Sequence, residues 1–553
     1  MDEKTTGAAG VIGVLGAGTM GSGIAQLAAR SGARTLLHDP VPDALQRGLD
    51  RARDGLAKEA AKGRLGEQQA TDAAASLESV GEIEALAPCE LVIEAAPERL
   101  ELKHELYRTL SGIVDQECVL ATNTSSLLVT AIAPAASSPE RVVGMHFFNP
   151  APLMALLEVV AGEQSSARAL ALADATGVAM GKSVIHASDG PGFLVNRCNR
   201  PFGLEALRLL QERIADVETI DRICRTHGGF RMGPFELMDL VGVDVGFEIS
   251  KSFYAQSFGE PRWRPSPIAA RYVAAGLHGR KTGRGYYVYP GDGASHREPD
   301  APAPEQAAPS GGEGVVVIAG SGVLAEELRH AASEAGYEVR SPHDETGGVL
   351  PSLVIECDRP PMPAGAGGDV AGPATAPALV HGGAHVVLCR AGSLGALDPA
   401  GSAVGFHVLA PLEDVRLVEL TRNESSSPLA AARAERFFGT LGKHVAWVGD
   451  APGLVLGRIV CQVVNECAFA LGEGVGDAHD IDRGMTLGLG YPHGPLAWAD
   501  TIGLDHVLDV LQALCGEYRE ERYRPAPALR RLVQAGRLGR ASGAGFFDYD
   551  VET

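Results

Sequence analysis

Residues 10–290 and 314–553 read as two copies of one α/β-plus-α unit: a doubly wound, mostly parallel sheet followed by an all-α domain, with the second copy degenerate. Three features of the chain point to it. Strand-like apolar runs alternate with amphipathic segments up to residue 190, helical spacing replaces them over 191–290, and an offset of 261 positions lays the second half on the first. Alternation of that kind produces strands covered by helices, because each element must bury its apolar face against another.

The first element is a β-α-β opening. VIGVL, GAGTMG, the helical SGIAQLAAR and a second apolar run ending at Asp39 follow one another over residues 11–39. Further short runs, LVIEA (91–95), CVLATN (118–123) and RVVGMHFF (141–148), continue the alternation and give a Rossmann-like domain over 1–190. From PGFLVNRCNRPFGLEALRLLQE onward the spacing is helical, through ETIDRICRTHG and MGPFELMDLVG to GRKTGRGYYVYPG, which closes a helical domain at 290. Residues 291–313, crowded with Pro, Ala, Gly and Glu, read as a mobile linker. A second Rossmann-like domain (314–450) and a second helical domain (451–553) complete the chain.

The repeat is carried by individual residues. Gly144, His146 and Glu158 recur as Gly405, His407 and Glu419; Pro191, Gly192 and Arg197 recur as Pro452, Gly453 and Arg458. Asp221, Gly233, Pro234, Asp239, Gly242 and Asp244 recur in the same register as Asp482, Gly494, Pro495, Asp500, Gly503 and Asp505.

Composition excludes several classes of function. A formal charge of -21 over 553 residues repels a polyanion, so no nucleic-acid partner is expected. The nine cysteines contain no CxxC pair and no metal-ligand spacing, so no metal is expected. MDEKTTGAAG lacks a secretory pattern, and no apolar run approaches the roughly 20 residues of a membrane helix. The expectation is a soluble cytoplasmic protein with reduced thiols and no membrane partner.

The turn GAGTMG places Gly16, Gly18 and Gly21 between a strand and a helix, with Thr19 and Met20 opening that helix. Glycines there permit a tight turn and close approach of a pyrophosphate to backbone N–H groups at a positive helix end. Asp39 ends the second strand 23 residues after Gly16, where a carboxylate accepts both ribose hydroxyls and repels a 2′-phosphate. NAD is therefore expected over NADP.

His146 follows an apolar strand and precedes a turn, which sets it near the carboxyl end of the sheet, where such folds bind ligands. A carboxylate on one ring nitrogen fixes the tautomer and raises the basicity of the other, and Glu158 is placed to provide it. Oxidising an alcohol with NAD requires such a base.

GAGTMG, APERLELK, TNTSSL, GMHFFNPAP, LEVV and PGFLVNR together resemble the L-3-hydroxyacyl-CoA dehydrogenase family, over residues 10–290. The long duplicated form, ending in YPHGPLAWAD and EERYRPAPALRRLV, is similar to the bacterial 3-hydroxyadipyl-CoA dehydrogenases of phenylacetate breakdown. The resemblance implies NAD as cofactor, an acyl-CoA as substrate and chemistry of the β-oxidation type. It makes His146 the base, Glu158 its orienting partner, and Ser125 and Asn196 the donors to substrate oxygens. It further implies that Glu98, Lys103 and Lys281 serve the nicotinamide end of NAD, and that Lys62, assisted by Arg64, meets the coenzyme A phosphates.

The second half keeps the pair but not its surroundings. Gly457 stands where Asn196 does, Ala325 replaces the third glycine after Gly320 and Gly322, His343 beside Asp344 replaces the ribose acid, and Ala541 replaces Lys281. His407 and Glu419 are expected to form a residual hydrogen bond in a structural domain. The family's helical domains pair across a subunit interface, so the tandem copy leaves two states open: a monomer with an internal pseudo-dimer, or a homodimer. A redox-silent NAD-binding protein on the same fold and a dehydrogenase of a free 3-hydroxy acid are the competing functions. A dicarboxylyl chain would require a cation, for which Arg197, Arg200 and Arg231 are the candidates.

Overall fold

The computed structural model describes residues 7–291, 295–297, 299–300, 311–344, 349–359, 383–399 and 401–550. The first sheet comprises β1 Val11–Leu15, β2 Arg34–His38, β3 Leu77–Val80, β4 Leu91–Glu94, β5 Val119–Thr122, β6 Val142–Phe147, β7 Leu156–Ala161 and β8 Ser183–Ser188. Their order is β3-β2-β1-β4-β5-β6-β7-β8, parallel throughout except between β6 and β7. The strands β4 and β5 are buried along their whole length, which is why LVIE and VLAT read as unbroken apolar runs closed by one polar residue. Strand order reverses between β1 and β4, and a crevice opens at the carboxyl ends of the strands at such a switch point.

The second sheet comprises β9 Val315–Ala319, β10 Glu338–Arg340, β11 Leu353–Glu356, β12 Ala384–Leu388, β13 Val404–His407, β14 Leu417–Thr421 and β15 His444–Trp447. Its order, β10-β9-β11-β12-β13-β14-β15, repeats the first sheet without a counterpart of β3 among the described residues. Between β2 and β4 the first copy inserts the helices Pro42–Ala61 and Glu67–Ser76; residues 341–352 are all that stands there in the second. Residues 360–382, where a counterpart of APERLELK would fall, lie outside the described residues.

The chain forms two compact units, Met1–Arg197 with Glu473–Gly490, and Cys198–Gly472 with Tyr491–Thr553. In the first, the helix Ala478–Leu489, which belongs to the second repeat by sequence, packs on β7 and β8. In the second, the helix Val217–Thr226 of the first repeat packs on β14. The repeats have exchanged equivalent helices.

The expected linker, 291–313, falls largely outside the described residues, and its described part is tied down. Glu236 accepts from His296 at 2.9 Å and from Arg297 at 2.7 Å, and Asp300 accepts from Arg225 at 2.7 Å. Its composition concealed these ion pairs. Among the described residues no helix is long and apolar enough to cross a membrane, and no cluster of His, Cys, Asp and Glu forms a metal site.

Candidate active site

The turn after β1 is shaped by two glycines for internal reasons and by a third for none. Gly16 has φ +101°, and a Cβ on it would stand 2.7 Å from the Ala95 carbonyl oxygen; on Gly21 it would stand 1.8 Å from that of Gly16. A Cβ on Gly18 would meet nothing within 4 Å. Gly18 is also the N-cap of the helix Thr19–Arg30, with no side-chain cap on its first N–H groups. Open space above uncapped amides at a positive helix end fits a pyrophosphate.

Asp39 follows β2 and accepts from the Ala17 N–H at 2.9 Å and the Val41 N–H at 3.0 Å, one on each oxygen. Each carboxylate oxygen retains a second acceptor site, so two ribose hydroxyls remain within its capacity. Arg51, which nothing in the sequence singles out, donates to the Ala17 carbonyl at 2.5 Å and to Ser22 Oγ at 3.3 Å. That guanidinium braces the turn. The residues fit NAD.

Glu98 and Lys103 form the next wall. Lys103 is 1% exposed; its Nζ donates to Glu94 Oε1 and Oε2 at 2.7 and 2.9 Å and pairs with Glu98 at 3.3 Å. Glu94 is wholly buried and also accepts from the Ala96 N–H and the Thr122 hydroxyl, at 2.6 and 2.8 Å. Glu98 accepts from Thr124 Oγ1 at 2.7 Å and from the Ser125 N–H at 2.8 Å. Burial is the largest influence on the Glu98 carboxyl and opposes ionisation, but Lys103, Thr124 and Ser125 together hold its pKa below the usual glutamate range. Glu98 borders the cleft, whereas Lys103 acts from beneath it through Glu94 and Glu98. The acid closing LVIE was the signal for Glu94.

His146 and Glu158 are direct partners in the antiparallel pairing of β6 with β7, which explains why residues twelve apart in sequence meet. His146 Nδ1 lies 2.6 Å from Glu158 Oε2. Glu158 is fully buried, and its other oxygen accepts from the Leu194 and Val195 N–H groups at 3.2 and 2.9 Å. These amides follow Gly192 and Phe193, both at positive φ (+71° and +53°), a backbone that costs about 1–2 kcal/mol at a non-glycine residue. The PGF sequence thus folds back to present two donors to one carboxylate. An ionised carboxylate only accepts, so Nδ1 carries the proton and the lone pair belongs to Nε2.

That imidazole lines a cleft of about 320 Å³ together with Met20, Glu98, Asn123, Ser125, Phe148 and Asn196. Ser125 spends its N–H on Glu98, which leaves its hydroxyl for a ligand. Asn123 was missed as a site residue; its Oδ1 accepts from the Phe147 N–H at 2.9 Å and fixes the strand end beside His146. Lys62 and Arg64 are exposed at the end of the helix Pro42–Ala61 and are not among the residues lining the cleft. Lys281 belongs to the second unit, where its ammonium donates to Asp244 at 2.7 Å.

The second copy corrects one expectation. His407 and Glu419 are again cross-strand partners, on β13 and β14, but no hydrogen bond joins them. His407 Nε2 lies 3.1 Å from His506 Nε2, and its Nδ1 is unpaired. Burial, reinforced by His506 and His227, drives its pKa far below the ordinary value. A Cβ on Gly457, the counterpart of Asn196, would fall 2.1 Å from the His407 ring, so the turned imidazole fills the space of the lost asparagine. The cleft beside Gly322 holds about 20 Å³, with Arg390 in its lining paired to Asp358 and Asp509, each at 3.2 Å.

A doubly wound sheet with a glycine turn, an acid at the end of β2 and a hydrogen-bonded His–Glu pair in the cleft fits an NAD-dependent dehydrogenase of hydroxyl groups. Comparison with known proteins narrows this. The family model described as 3-hydroxyacyl-CoA dehydrogenase, NAD binding domain, matches residues 11–190, and that described as 3-hydroxyacyl-CoA dehydrogenase, C-terminal domain, matches 192–289 and 453–549. The chain is 35% identical over 527 residues to the 3-hydroxyadipyl-CoA dehydrogenase of Escherichia coli (strain K12), covering 95% of this chain and 98% of that one. It is 39% identical over 277 residues to a probable 3-hydroxybutyryl-CoA dehydrogenase of Deinococcus radiodurans, covering 50% of this chain and 99% of the relative. The crystal structure of a 3-hydroxybutyryl-CoA dehydrogenase from Escherichia coli K12 matches with a TM-score of 0.77 and 33% identity, over 96% of this chain and 99% of that one. The chain belongs to the 3-hydroxyacyl-CoA dehydrogenase family. Its activity is NAD-dependent interconversion of 3-hydroxyacyl-CoA and 3-oxoacyl-CoA.

Proposed function

We propose that the first copy holds the one working site, with His146 as the general base, and that a dicarboxylyl thioester such as 3-hydroxyadipyl-CoA is the preferred substrate. The observation that supports the site assignment most is the contrast between the two His–Glu pairs: one bonded and lining an open cleft, the other separated and closed in.

In this reading Nε2 of His146 takes the proton of the 3-hydroxyl as the C3 hydride leaves, and Glu158 stabilises the imidazolium that results. NAD, when bound, supplies the hydride acceptor. The Ser125 hydroxyl and the Asn196 amide donate to the 3-oxygen and the thioester carbonyl, holding C3 in line for transfer. Gly16, Gly18, Thr19, Met20 and Gly21 hold the pyrophosphate side of the cofactor, Asp39 its adenosine ribose, and Glu98 its nicotinamide end, with Lys103 beneath. Lys281 is assigned to the cofactor side and Lys62 to the coenzyme A phosphates.

The dicarboxylyl preference is supported by the relative named for 3-hydroxyadipyl-CoA, which matches nearly the whole chain. Of the three arginines, Arg197 is engaged by Glu473 at 2.7 Å and Arg231 is exposed. Arg200 has no carboxylate within ion-pair distance among the described residues; it lies over the Phe253 ring at 5.0 Å, and burial pushes its guanidinium down to about 10. Steady-state reduction of 3-oxoadipyl-CoA and acetoacetyl-CoA with NADH tests the dicarboxylyl preference. The adipyl thioester should show the higher kcat/KM. Equal kcat/KM for both substrates in the wild type would refute the preference.

A further inference from the structure

The helix Ala478–Leu489 carries Gly484 and Gly488, with Gly476 just before it. An interior glycine weakens a helix relative to alanine, so a short helix keeps two only where neighbours demand it. They do so here. A Cβ on Gly476 would lie 2.6 Å from Leu194 Cδ2, one on Gly484 2.7 Å from Val195 Cγ2, and one on Gly488 2.7 Å from Leu156 Cδ2 and 3.4 Å from Phe148 Cε1. Those residues set the catalytic pair: Leu194 and Val195 give their N–H groups to Glu158, and Phe148 packs on the His146 ring with centroids 4.6 Å apart. Beside Asn196, Arg197 is held by Glu473 of the same exchanged segment.

The second unit is a built-in control. Its exchanged helix, Val217–Thr226, places Ala215, Ile223 and His227 where Gly476, Gly484 and Gly488 stand. His227 is buried; its Nε2 accepts from the Leu409 N–H at 3.2 Å, and its Nδ1 lies 3.3 Å from Glu419 Oε1. There an imidazole from the exchanged helix stands against the glutamate, and His407 has turned to His506. Both sheets set a histidine opposite a glutamate in register; the two copies differ in what the exchanged helix presents.

We propose that the exchanged helix of the second repeat is a positioning element of the active site, and that its glycines, Gly488 above all, leave His146 as the one imidazole on Glu158. The catalytically closed half thereby acts on the working half through a defined set of contacts.

Gly488→His, Gly484→Val and Gly488→Ala test this in the full chain, with Leu487→Ala, on the exposed side of the same helix, as control. Gly488→His should lower kcat about 100-fold, the scale of a small misplacement of reacting groups, with NADH affinity unchanged. The midpoint of the pH–rate profile for 3-hydroxyacyl-CoA oxidation should move to lower pH, because an imidazole without its carboxylate gives up its proton more readily. Glu98, the other titratable group lining the cleft, keeps Lys103 and Ser125 in these variants and holds the rest of the profile in place. If Gly488→His does not fold, Gly488→Ala carries the test: helix propensity alone predicts a protein at least as stable and as active, whereas the proposal predicts a lower kcat and the same shift of midpoint. Unchanged kcat and pH profile in the folded glycine variants would overturn it. So would a loss of kcat that tracks a lowered melting temperature with the profile unmoved.

Discussion

The His146→Gln variant is expected to lose about 10²- to 10⁴-fold in kcat, the range a positioned general base contributes, while binding NADH normally. Glutamine keeps a hydrogen-bonding side chain on β6 but has no basic nitrogen to take up a proton. The residues proposed to hold the cofactor, the turn after β1, Asp39 and the Glu94–Lys103–Glu98 cluster, belong to other elements, so binding should persist. Single-turnover reduction of acetoacetyl-CoA, alongside NADH fluorescence titration, separates the two effects. Undiminished turnover would end the assignment of His146, and lost NADH binding would show that the residue does more than move a proton.

The second large effect concerns stability. Lys103→Met should destabilise the first unit by about 3–5 kcal/mol, because removing one member of a buried ion cluster strands the others. Glu94 would keep only the Ala96 N–H and the Thr122 hydroxyl in a site with no exposure to water. Glu98 would lose the cation that most opposes its burial. Glu98 also holds the Thr124–Ser125 turn, so the same substitution should raise the KM for NADH and for the thioester before global unfolding sets in. Its hold depends on ionisation: with a pKa below the ordinary glutamate value, it is fully present above that value and is lost as pH falls through the lowered one. Thermal unfolding of wild type and variant near neutral pH checks the first point. An unchanged melting temperature would mean that the ammonium is dispensable.

The fold was legible because its signals are local or periodic. Glycine spacing, the run from strand to helix and the recurrence of His146 and Glu158 at His407 and Glu419 all survive in one dimension. The exchange of helices is not written locally: IDRICRTHG and IDRGMTLGL read as the same element, and only packing shows that each lies on the other repeat's sheet. The failed expectation has the same root. His407 and Glu419 keep their strand register, but a histidine 180 residues upstream of His407 stands against Glu419, and another 99 residues downstream meets the His407 ring. Lys103 shows a milder form. Its position in ERLELK suggested a cofactor contact, whereas burial turns its charge inward onto Glu94.

Counting NADH sites tests most directly whether one half works and the other supports it. Isothermal titration of the full chain should give one NADH bound per chain, with binding lost on replacing Gly18 by a bulky residue and kept on replacing Gly322. Two equivalents per chain, or one equivalent that vanishes with Gly322, would contradict the assignment of the working site to the first repeat.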